Sequence, residues 1–209
     1  MRLIRLKGQR DIMLQGLLRD FVVMQMTAGE HFDKKVMSET MVKTIFRKTG
    51  NPKIIDIGCN IGELFGNKAT NVDKSSLSDL RKESGNKNLI IPNYVQADAK
   101  DLPFEDLEFD LAFLGEILEH VDDPLAVLNE AQRVAHVIIF TVPNESEWDP
   151  RLKPFTNSGH VRNFDEEMVL NLIFSSGLHL IEYMKLNVGG WSHFIVRGVS
   201  KHVELSEWD

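Results

Sequence analysis

The stretch from Lys53 to Leu64, reading Lys-Ile-Ile-Asp-Ile-Gly-Cys-Asn-Ile-Gly-Glu-Leu, constrains this chain more than any other. Ile54, Ile55 and Ile57 form a β-branched run without polar alternation, the pattern of a strand buried on both faces of a sheet. The chain must then turn. Gly58 and Gly62 bracket the turn, and Asn60 between them is among the few other residues that tolerate a left-handed backbone. Asp56 falls at the carboxyl end of the strand, where an open α/β sheet keeps its ligand crevice. The spacing Asp-x-Gly-x-x-x-Gly departs from the dinucleotide fingerprint Gly-x-Gly-x-x-Gly, because position 60 is Asn and position 63 is Glu. A carboxylate here repels a pyrophosphate and suits a ligand that carries a positive group.

With 209 residues the chain reads as one domain able to bury its own core, and 43% hydrophobic with 26% charged residues is a globular balance. The most apolar early stretch, Ile12 to Met26, is interrupted by Gln15, Arg19 and Asp20, so neither a membrane span nor a signal peptide is expected. The single cysteine, Cys59, excludes an internal disulfide framework and points to a reducing, cytoplasmic setting. A net charge of -7 argues against a broad nucleic-acid surface. Arg2, Arg5, Lys7 and Arg10 form a local basic arm, read first as a solvated terminus.

Residues 11 to 26 and 37 to 50 carry apolar positions near helical spacing, so a helical cap over residues 1–50 is expected ahead of a core over 53–199. After the glycine turn a helix of only one or two turns fits before Ala69 to Asp73, which reads as the second strand. Ser75 to Ser84 is polar and helical in type, and Tyr94-Val95-Gln96 supplies a third strand. Phe109 to Leu114 is a fourth strand, Pro124 opens a helix, and His136 to Phe140 is a fifth strand. A loop rich in polar residues, with Trp148 and Phe155 as apolar anchors, runs to Gly159. Asp165 caps a helix ending near Gly177, and Leu178 to Tyr183 with His193 to Val199 make a closing hairpin.

Four segments in this order resemble the motifs of the class I S-adenosylmethionine-dependent methyltransferases: the Asp56 to Gly62 turn, Asp73, Asp98-Ala99-Lys100-Asp101-Leu102-Pro103-Phe104, and Gly115 to Pro124. The last is most similar to a small-molecule subgroup that includes the ubiquinone and menaquinone biosynthesis enzymes. The resemblance implies a doubly wound α/β fold, with a mostly parallel seven-stranded sheet, an antiparallel last strand and helices on both faces. It implies S-adenosyl-L-methionine as cofactor and a small-molecule acceptor methylated on O, N or C. The cofactor residues it implies are Asp56, Gly58, Cys59, Asn60, Gly62, Asp73, Lys74, Asp98, Ala99, Leu114 and Gly115. Asp56 would help position the amino group, Asp73 would accept from ribose hydroxyls and Asp98 from the adenine amino group. A side chain added at Gly58 is expected to fill space where backbone approaches ligand.

Candidate catalytic residues are His120, His160 and Glu116, with Glu119 nearby. His120 is expected one helical turn from Glu116, and His160 is expected to approach from the side opposite His120. The favoured reading uses no metal. The set Glu116, Glu119, His120 and His160 also resembles the metal-binding residues of small-RNA methyltransferases that modify a terminal 2′-hydroxyl. A further alternative is a non-catalytic module that keeps the fold and binds the cofactor without turnover.

Overall fold

A computed structural model describes residues 52–62, 64–149, 159–188 and 191–204. The expected N-terminal cap, its basic arm and the Phe155 anchor lie outside the described residues. Seven strands form one sheet: β1 (Ile54–Ile57), β2 (Ala69–Asp73), β3 (Tyr94–Gln96), β4 (Phe109–Gly115), β5 (Ala135–Pro143), β6 (His179–Val188) and β7 (Trp191–Val199). Three helices are described: α1 (Leu77–Glu83), α2 (Pro124–Val134) and α3 (Glu166–Ser176). The strand order is β3-β2-β1-β4-β5-β7-β6, and β7 runs antiparallel to both neighbours while the remaining pairs are parallel. The expected doubly wound sheet with an antiparallel last strand is what forms.

The order follows from the sequence pattern. All four residues of β1 are buried, because β2 and β4 flank it and pair through Ile54 with Ala69 on one side and Leu111 on the other. After β1 the chain winds to one side through β2 and β3, then returns to lay β4 and β5 on the other. The direction of winding reverses between β1 and β4, so a crevice opens at the carboxyl ends of these two strands. Asp123 caps α2 by accepting from the Ala126 amide, and Pro124 occupies the first turn, where its missing N–H costs nothing. Asp165 caps α3 in the same way through the Met168 amide. The buried faces of α2 and α3, through Val127, Leu128, Val169 and Ile173, join Ile55, Ala112, Phe140 and Phe194 in one core.

Two local expectations change. The helix after the glycine turn shrinks to a single 3-10 turn at Gly66–Lys68. Asn71, fully buried on β2, donates its side-chain amide to the Gly66 carbonyl at 2.8 Å and the Pro92 carbonyl at 2.7 Å, which holds the connection as loop. After β4, Glu116 is not part of a helical turn with His120. Its backbone is left-handed, with φ of 57°, and only Leu118–His120 coils as a 3-10 turn. No helix among the described residues is long and apolar enough to cross a membrane.

Candidate active site

The turn after β1 is fixed by its own backbone. The amides of Gly58 and Cys59 both donate to the Val72 carbonyl, at 2.8 and 3.0 Å, so the chain bends sharply toward β2. Gly58 has φ of 76° and Asn60 has φ of 50°, the conformation their residue types favour. The Asn60 amide donates to Oδ2 of Asp73 at 3.1 Å, and the Ser75 amide donates to Oδ1 at 2.9 Å. Asp73 is thereby held at the mouth of the crevice with a lone pair still free on each oxygen. Asp98 is oriented by the Lys100 amide at 2.9 Å.

These groups line one cavity of about 630 Å³, within the range of small-molecule sites. Its wall includes Gly58, Asn60, Asp73, Lys74, Asp98, Ala99, Glu116 and His120. Asp56, Cys59, Gly62, Leu114, Gly115 and His160 are not part of that wall. Asp56 lies behind the turn, and burial followed by repulsion from Asp73 pushes its carboxyl up to about 7. Cys59 is buried, and burial with the neighbouring carboxylates pushes its thiol well up, so it is a packing residue. Gly62 lies against Ile91, and Leu114 is fully buried. Gly58 needs correction. A Cβ there would meet Ile117, at 2.5 Å from Cδ1 and 2.9 Å from Cβ, so the glycine is required by protein packing and by its positive φ.

The far end of the cavity is an acid and imidazole cluster. His120 and His160 meet edge to face with ring centroids 4.6 Å apart. They stand together, not on opposite sides as expected. The segment carrying His160 is stitched to the one carrying His120: Val161 donates to the Glu119 carbonyl at 2.9 Å, and Arg162 donates to the carbonyls of Val121 and Asp122 at 2.9 and 2.6 Å. His120 Nδ1 bonds the Gly159 carbonyl at 3.1 Å and His160 Nδ1 bonds Glu145 at 2.6 Å. A carbonyl can only accept, so Nδ1 of His120 carries the proton and the neutral ring keeps its lone pair on Nε2. Burial holds His120 below its ordinary value, opposed by the Gly159 carbonyl.

Glu119 is 1% exposed, and neither of its oxygens has a hydrogen-bond partner among the described residues. Burial, then the charge of Glu116, pushes its carboxyl up to about 9. Glu116 goes the other way. Burial works to raise it, but His193, with Nε2 at 3.3 Å, holds it below the usual carboxylate range. Sequence reasoning missed both His193 and Glu145. His193 lies on β7, level with Pro143 across a pairing that no sequence spacing announces.

The fold, the glycine turn and the carboxylates along the crevice give comparison with known proteins a physical footing. Residues 55–137 match the family model described as a methyltransferase domain. That segment, under half of the chain, is similar to a methyltransferase domain. The match spans β1 through the start of β5 and so includes Asp73, Asp98 and the Glu116 to His120 segment. A curated relative, sterol methyltransferase-like 1 of Botryococcus braunii, is 27% identical over 160 residues, covering 69% of this chain and 38% of that protein. The chain thus spans well under half the length of that relative. Magnesium protoporphyrin IX methyltransferase from Synechocystis PCC 6803, solved with bound SAH, shares the fold at 14% identity and a TM-score of 0.57, covering 92% of this chain and 98% of that one. A [4+2]-cyclase shares it as well, at 13% identity and a TM-score of 0.53, over 95% of this chain and 99% of that one. A methyltransferase-like fold therefore does not by itself fix the reaction.

Proposed function

We propose that this domain transfers a methyl group from S-adenosylmethionine to an O, N or C atom of a small-molecule acceptor. The observation that carries the reading is the single cavity joining Asp73, Asp98 and the Gly58 turn to the His120 cluster. Three features of the cavity fit the cofactor. Asp73 is braced by two backbone amides with lone pairs left for ribose hydroxyls. Asp98 stands beyond β3, where an adenine amino group would find it. Asp73 puts a carboxylate on the wall beside the turn, which favours a ligand with an ammonium group over a pyrophosphate. Lys74 and Ala99 complete the nucleoside wall, while Leu114 and Gly115 support it from β4. A sterol methyltransferase relative and a porphyrin methyltransferase neighbour are in keeping with a small-molecule acceptor.

When bound, the sulfonium supplies an electrophilic methyl group for in-line transfer. The protein's part is largely to hold donor and acceptor in line and exclude water. If the acceptor is a hydroxyl or an ammonium, His120 accepts its proton at Nε2, with Nδ1 anchored on the Gly159 carbonyl. His160, fixed by Glu145, sits behind His120 and orders the pocket wall. The test is calorimetric binding of S-adenosylhomocysteine followed by an acceptor panel with labelled S-adenosylmethionine. Binding without transfer to any acceptor supports the non-catalytic module instead.

A second reading has one specific observation in its favour. The ligand atoms of Glu119, His120 and His160 lie within 4.8 Å of one another, and Glu119 is buried with both oxygens unpartnered. These three fit a divalent ion, with both imidazole Nδ1 atoms already tied to oxygen acceptors. Glu116, the fourth residue of the small-RNA set, is engaged by His193. Loss of turnover on chelation, restored by a divalent ion, would move a metal-dependent 2′-hydroxyl reaction ahead.

A further inference from the structure

Two side chains far apart in sequence meet at the carboxyl end of the sheet. Glu116 follows β4, and His193 lies on β7, on the far side of β5. His193 Nε2 stands 3.3 Å from Glu116 Oε2, and His193 is almost fully buried. His193 is itself fixed from behind. The Trp148 indole stacks on it with centroids 5.9 Å apart, and Trp148 Nε1 donates to the Ser192 carbonyl at 2.8 Å. Glu116 is held in a left-handed backbone that a non-glycine residue adopts only under constraint. Its Oε1 is buried and has no hydrogen-bond partner among the described residues.

The place of this carboxylate in the cavity matters. Asp98 lies just past β3 and Glu116 just past β4, so three strand spacings separate the two walls, roughly 14 Å at the usual distance between neighbouring strands. With adenine toward Asp98, the sulfur end of the cofactor falls toward Glu116. S-adenosylmethionine and its demethylated product differ there by one methyl group and one positive charge.

We propose that His193 is a positioning residue that holds the Glu116 carboxylate toward the sulfur end of the cavity, and that Glu116 so held makes the cavity prefer the cationic donor over its neutral product. The proposal rests on the methyltransferase reading above. Transfer removes the positive charge, so the same contact that favours the donor releases the product.

The experiment measures dissociation constants of S-adenosylmethionine and S-adenosylhomocysteine by calorimetry on the intact chain, at one pH and salt. Glu116→Gln is expected to lower the preference for S-adenosylmethionine on the order of tenfold. His193→Phe is expected to lower it equally while leaving S-adenosylhomocysteine affinity within about twofold, and the double variant is expected to do no more than either single one. His193→Gln keeps a donor and retains most of the preference. If His193→Phe does not fold, His193→Asn, too short to reach Glu116, takes its place. Equal weakening of both ligands means that His193 only supports the fold, and a ratio unmoved by either His193 variant means that it does not act through Glu116; either overturns the proposal. If neither ligand binds the wild type, the methyltransferase reading itself fails.

Discussion

In the proposed function Asp73 serves structure and ligand together. Its carboxylate accepts from the Asn60 and Ser75 amides, so Asp73→Ala orphans two backbone donors and, in that reading, also removes a cofactor contact. S-adenosylhomocysteine binding is expected to weaken by about 1 to 3 kcal/mol. Asp73→Asn, which still offers an oxygen, should lose less, and calorimetry on the pair separates the two effects. Gly58→Val is a poorer probe. The positive φ and the contact with Ile117 mean that it lowers stability as well as binding, which thermal unfolding should reveal. Asn60 between two glycines announced its left-handed turn in the sequence. Glu116, left-handed as well, did not, because nothing in its residue type marks it, and its partner His193 on β7 meets it only in the folded sheet.

At the scale of elements, the acceptor end is built by two loops zipped together. Arg162 bonds the carbonyls of Val121 and Asp122, and Val161 bonds the carbonyl of Glu119, so the loop that delivers His160 is an extra edge on the loop that delivers His120. Arg162→Ala is expected to cost about 1 to 3 kcal/mol in unfolding free energy and to lower turnover with little change in S-adenosylhomocysteine affinity. His120→Ala and His160→Ala should follow the same kinetic pattern, the former more severely because only His120 lines the cavity. Wild-type turnover in both variants from pH 6 to 9 would leave positioning alone as the source of catalysis. The strands and caps were legible because β-branched runs, Pro124 and Asp165 act locally. The meeting of the two histidines was not, since it depends on long-range backbone bonds that residue type does not encode.

For the whole molecule, two buried carboxyls set an unusual pH dependence. Asp56 and Glu119 are pushed to about 7 and about 9 from ordinary values of 3.8 and 4.5. The folded state therefore holds protons that the unfolded state has released, so stability falls as pH rises from about 4 toward 9. Glu116, held below its ordinary value, acts only at the acid end of this range. Urea unfolding should show less stability at pH 8 than at pH 5. Glu119→Gln should flatten the decline above pH 7 and stabilise the protein at pH 9 by more than about 1 kcal/mol. A divalent ion that binds this cluster would reverse the trend by favouring the ionised carboxylate.

The crevice between β1 and β4 is central to all of these expectations, and titration of the intact chain with S-adenosylhomocysteine at pH 7.5 tests it most directly. Saturable heat with one ligand per chain, reduced in Asp73→Asn and further reduced in Asp73→Ala, is the predicted result. No heat and no thermal stabilisation at millimolar ligand would contradict it.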